Sequence, residues 1–135
     1  MISKRIVLKE QDWILWLYVA VTRYDSNAIL SKVKSIGAGG KLLERMKSSL
    51  MRGRMNSGFT YSNRMMRESV MVIGLTTKAS QEMNSAVHEL RHLVDDIATT
   101  DGMQMCGEAV AYLSGDIAAE IFGVISPLLC DRCRH

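Results

Sequence analysis

The chain has 135 residues, the length of one ordinary domain. With 47% hydrophobic residues, 23% charged residues and one proline, its composition excludes an extended disordered chain. The net charge of +3 conceals an asymmetry: residues 32–67 hold nine Lys or Arg against one acid, Glu44, whereas residues 81–135 hold nine acids against three Arg. The basic part could meet nucleic acid or an acidic partner, or it could be a solvated face that balances the acidic part within one fold.

Three cysteines, Cys106, Cys130 and Cys133, make no disulfide framework, so a cytoplasmic protein is expected. Lys4 and Arg5 precede an apolar run, but Glu10 and Asp12 interrupt the approach and no small-residue cleavage site follows. That run, Trp13 to Val21, is nine residues long, too short to span a bilayer, so no membrane is expected as a partner. It is aromatic and β-branched, which predicts a central buried strand. The ten methionines are expected to fill gaps in the core, although those within 46–71 could also form an interface.

Asp25, Ser26 and Asn27 offer caps for a helix from about Ala28 to Ser35, broken by Gly37, Gly39 and Gly40. The Gly37–Gly40 run lacks the spacing of a phosphate loop. Leu42, Leu43, Met46 and Leu50 predict a second amphipathic helix from Lys41 to about Met51. Residues 52–58 read as a loop. Phe59–Tyr61 and Ser69–Ile73 flank a polar turn and predict an antiparallel hairpin. Met83, Val87, Leu90, Val94 and Ile97 then follow helical spacing, with Ser80 or Thr77 as N-cap, and Asp101-Gly102 closes the segment. A last helix runs from about Gly107 through Phe122, before Pro127.

On the first of these two helices stands His88-Glu89-Leu90-Arg91-His92, an H-E-x-x-H motif. Histidines four apart share one helix face, so two imidazoles can grip one zinc ion, and the glutamate beside the first can act on water as general base. A catalytic zinc usually takes three protein ligands. Glu108, opening the last helix after a short loop, is the leading third ligand; Asp95, Asp96 and Asp116 are rivals. Asp96 shares a face with both histidines and suits a partner for a ligand's other ring nitrogen. Arg91 is expected to face solvent or to pair with Asp95. Cys130-Asp-Arg-Cys133-Arg-His135 carries C-x-x-C, which with Cys106 could hold a second zinc, although a short tail without structure is the favoured reading.

H-E-x-x-H on a helix followed by a glutamate-bearing helix resembles the zincin metallopeptidases of the glutamate-ligand type. Gly107-Glu-Ala-Val-Ala-Tyr-Leu113 resembles the E-A-x-x-(F/Y)-A motif of small zincins of phages and mobile elements, including repressor-cleaving peptidases. The resemblance covers residues 80–122. It implies zinc held by His88, His92 and Glu108, with Glu89 as general base and a peptide or protein substrate. Tyr112, one turn from Glu108, could donate to the oxyanion or could be a core tyrosine. The resemblance also implies a strand edge that pairs with extended substrate, here Phe59–Ser62 or Ser69–Ile73.

The expected fold is α+β: a minimal zincin-like domain with a small mixed or antiparallel sheet packed on the H-E-x-x-H helix and a C-terminal helix. Residues 1–79 form the strand, helix and hairpin part, 80–125 the metal-binding helix pair and 126–135 the tail. The alternative to a zinc peptidase is a non-catalytic, zinc-stabilised and virion-associated phage protein that binds a protein or nucleic-acid partner through residues 32–67.

Overall fold

A computed structural model of the protein describes residues 1–52 and 58–132. Four strands, β1 (Ile2–Leu8), β2 (Trp13–Val21), β3 (Phe59–Asn63) and β4 (Glu68–Gly74), form one mixed sheet in the order β1-β2-β4-β3. β1 and β2 make one antiparallel hairpin, β3 and β4 another, and β2 joins β4 in parallel. A parallel pair needs a connection that leaves the sheet. Helices α1 (Ser26–Ser35) and α2 (Gly40–Met51) lie in that connection, and α3 (Ala79–Thr100) and α4 (Glu108–Ile125) follow β4.

Strand alternation sorts the sheet into two faces. Trp13, Leu15, Leu17 and Val19 join Met71 and Ile73 in a core with Leu93 and Ile97 of α3 and Ile117 and Ile121 of α4. Val70 and Val72 face the other way, onto Ile29, Val33, Met46 and Leu50 of α1 and α2. Val21 belongs to this second core although its odd position predicts the first. The register shifts between Tyr18 and Val21, and Ala20 there has φ of 56°, so the irregularity turns Val21 over. Each fully buried Leu or Ile contributes about 1.5–3 kcal/mol. The α+β expectation thus holds, with helices on both faces of the sheet.

The predicted central strand, hairpin and four helices appear close to their expected bounds. β1 is an addition. Only Ile6 and Leu8 of β1 are buried, and Lys4 and Arg5 interrupt the apolar pattern, as suits an edge strand. Ser69–Ile73 lies inside β4, which is hydrogen-bonded on both sides, so it offers no free edge; β3 does. The methionines depart from expectation: Met46 and Met71 are buried, whereas Met51, Met65, Met66, Met83 and Met105 are exposed. Of the predicted 52–58 loop, residues 53–57 lie outside the described residues.

Neither Ser80 nor Thr77 is the N-cap of α3. Lys78 holds that position in extended conformation, and the Ala79 N–H donates to Asp131 Oδ1 at 2.8 Å. A carboxylate there also suits the helix dipole. Asp131 thus has a structural contact within the expected tail, while Cys133 and His135 lie outside the described residues. Cys106 and Cys130 are both exposed.

Residues Glu108–Leu128 are long and apolar enough to cross a membrane, with a mean hydropathy of 1.4, which the run at 13–21 is not. In this fold one side of α4, Val110, Leu113, Ile117, Ile121 and Ile125, packs into the core.

Candidate metal centre

α3 crosses the sheet with Leu93 and Ile97 underneath, and its 3.6-residue period then turns Glu89 toward β3 and leaves the two histidines beside it at the surface. Glu89 is 2% exposed. Thr60 Oγ1, from β3, donates to Glu89 Oε1 at 3.0 Å and lies 3.2 Å from the Glu89 carbonyl oxygen. The second oxygen, Oε2, stands 3.9 Å from His88 Nε2. Burial raises the Glu89 carboxyl above its ordinary pKa, opposed by the Thr60 hydrogen bond and by the two histidines.

His88 Nε2 and His92 Nε2 are 3.2 Å apart, with the rings edge to face at 73°. Two imidazole nitrogens bound at about 2.0–2.1 Å to one tetrahedral zinc stand about 3.3–3.4 Å apart, so the pair fits a metal ion with little movement. The ligand atoms of His88, Glu89 and His92 all lie within 4.8 Å of one another, and this group could hold a metal ion.

The other sequence candidates stand elsewhere. Among the described residues, Glu108, Asp95, Asp96 and Asp116 are not part of that group. The side of α3 that meets α4 is Met83, Ala86, Val87 and Leu90, which line a groove with Gly115, Ala118 and Phe122. At about 100° per residue, His88 and His92 project from the opposite side of α3. Glu108, the first residue of α4, is exposed, and Tyr112 one turn later is 69% exposed, so Tyr112 is not a core tyrosine. Asp116 lines a hollow with Lys9 and Gln11 of the β1–β2 turn. Arg91 pairs with Asp95 at 2.8 Å, as expected.

Asp96 is occupied by the sheet. Ser62 Oγ donates to its Oδ2 at 2.6 Å, and Arg64 Nη2 lies 3.7 Å from Oδ1. Behind Ser62, Ser69 Oγ is 2.7 Å away and accepts the indole N–H of the buried Trp13 at 2.8 Å. With Ser62 donating to Asp96, a single orientation satisfies the chain: Trp13 to Ser69 to Ser62 to Asp96. Thr60 and Ser62 are the residues that the sequence reading missed. Their alternation in a strand predicts one shared face, but no local pattern ties that face to residues about thirty positions later.

The chain matches no family model, no curated protein and no solved structure.

Proposed function

We propose that the protein is a zinc-dependent peptidase of zincin type, in which His88 and His92 hold the metal and Glu89 is the general base. The observation that carries this reading is the pairing of two converging imidazole nitrogens with a buried carboxylate whose second oxygen faces them. A purely structural metal site has no need of a buried, hydroxyl-anchored glutamate between its two histidines.

Zinc, when bound, supplies a Lewis acid that brings the ionisation of water toward neutral pH. Glu89 accepts a proton from the attacking water at Oε2 and returns it to the departing nitrogen. Thr60 holds Oε1 and so fixes the direction of Oε2. The free edge of β3 runs beside Glu89, and an extended peptide added there would have its backbone read by main-chain hydrogen bonds. Glu108 joins the ligand set in this proposal only if the 101–107 connection rearranges when metal binds.

The test is mass-spectrometric cleavage of a mixed peptide library by the zinc-loaded protein and by Glu89→Gln. Cleavage by the native chain that the variant lacks supports the proposal. Equal cleavage by both removes Glu89 as base, and no cleavage by either leaves the metal-holding, non-catalytic reading in its place.

A further inference from the structure

The face of the sheet opposite the histidines carries the other unusual chemistry of this chain. Residues 26–52, the α1–α2 layer, hold six Lys or Arg against one acid, Glu44. Residues 79–131, the α3–α4 layer, hold nine acids against one Arg. The asymmetry in sequence is therefore an asymmetry between two faces of one sheet. Lys34, Lys41, Arg45, Lys47 and Arg52 are exposed, and among the described residues none is in an ion pair. A layer that merely balanced the acidic one would pair with it; here the sheet stands between them.

Aromatic rings sit among these cations. Trp16 packs at the rim of the α1–α2 core, with Lys32 Nζ 3.3 Å and Arg5 Cζ 5.6 Å from its ring centre. Its indole N–H donates to Glu68 at 2.9 Å, which fixes the ring that positions both cations. Tyr24, in the short turn before α1, is 82% exposed, and the Arg23 guanidinium lies 5.0 Å from its ring centre. An exposed tyrosine with a guanidinium over it burdens a free surface and suits a flat π-face as partner.

We propose that this face binds single-stranded nucleic acid, with phosphates on the cations of α1, α2 and Arg5 and a base stacked at Arg23–Tyr24. Cations alone would serve any polyanion. The exposed ring selects an unpaired base, since a duplex keeps the faces of its bases stacked inside. The surface is distinct from the metal centre and does not depend on the peptidase proposal.

The experiment is fluorescence anisotropy of a labelled oligothymidylate of roughly 20 nucleotides and a duplex of the same length, titrated with the full chain. The single strand is expected to bind more tightly than the duplex. Raising salt from about 50 to about 200 mM should weaken it about tenfold to hundredfold, as three to five phosphate contacts require. The surface triple variant Lys34→Glu, Lys41→Glu, Lys47→Glu should lose about tenfold or more and flatten the salt dependence. Tyr24→Ala should weaken the single strand about fivefold or more and leave the duplex alone. No anisotropy change at the lower salt, binding indifferent to the triple variant, or a duplex bound as tightly as the single strand would overturn the proposal. So would retention on phosphatidylserine vesicles that the oligonucleotide fails to displace, which would assign the face to an anionic membrane.

Discussion

Thr60 on β3 and Glu89 on α3 are joined by a 3.0 Å hydrogen bond that ties the edge of the sheet to the carboxylate between the two histidines. Because Thr60 engages only Oε1, the carboxylate is held without being consumed, and Oε2 remains toward His88. Glu89→Gln keeps an oxygen for Thr60 and removes the base. We expect it to retain zinc and to lose hydrolysis by about 10²–10⁴-fold, read from zinc content and initial rates side by side.

The same substitution has a signature in stability. The folded Glu89 carboxyl has a raised pKa, so the folded state binds its proton more tightly than the unfolded chain does. Stability from this group is therefore fully present below the unfolded pKa and declines as pH rises through the folded value. In chelator-treated protein, Glu89→Gln should melt above the native chain at neutral pH, and the gap should close on acidification. Thermal denaturation across that range checks it; a variant that melts lower at neutral pH contradicts the cause assigned to the shift.

Zinc content also separates the ligands. Close to one zinc per chain is expected after remetallation, with loss from His88→Ala and from His92→Ala. Glu108→Ala should retain metal, because α4 packs on the side of α3 away from the histidines and, among the described residues, Glu108 is not part of the group that could hold the ion. Metal lost from Glu108→Ala would mean that the 101–107 connection moves on loading.

The Trp13–Ser69–Ser62–Asp96 chain makes a prediction about stability alone. Ser62→Ala removes the link that donates to Asp96 and accepts from Ser69, leaving both without that partner. A cost of about 1–3 kcal/mol in denaturant unfolding is expected, with zinc affinity unchanged. Weakened zinc binding would instead assign Asp96 to the support of His92.

Acid should act through Arg67 and Asp101. Arg67 holds both oxygens of Asp101, at 2.8 and 3.0 Å, and the carbonyls of Gln11 and Asp12, clasping the β1–β2 turn to the end of α3. Arg67 lowers the Asp101 pKa, so the stabilisation is present above the unfolded carboxyl value, about 3.9, and is lost as pH falls through the lower folded one. Asp101→Asn should destabilise at neutral pH and flatten the acid limb of a plot of melting temperature against pH. An unchanged limb would show that the clasp adds nothing.

The parts legible in the sequence are those written in local periodicity. The run Trp13–Val21 was a strand by its side chains alone, and His88, Glu89 and His92 share a neighbourhood because one helix brings them together. What was hidden depends on distant partners. β1 has two buried residues and becomes a strand only by pairing with β2. The cap of α3 comes from Asp131, 52 residues away, which no start signal near Ser80 could announce. Glu108 drew attention by its place in a motif, yet its direction depends on which side of α3 the next helix packs, and that is decided by the apolar groove of Met83, Val87 and Phe122.

The two layers of opposite sign make the molecule an electrical dipole with the sheet as its midplane. On a polyanionic strand such a molecule lands one way up, α1 and α2 down. The exposed histidines then lie in the layer away from the strand, where the acidic residues of α3 and α4 draw in positively charged chains and repel the strand itself. A protein built in this way can sit on one polymer while its His88–His92 surface stays open to another.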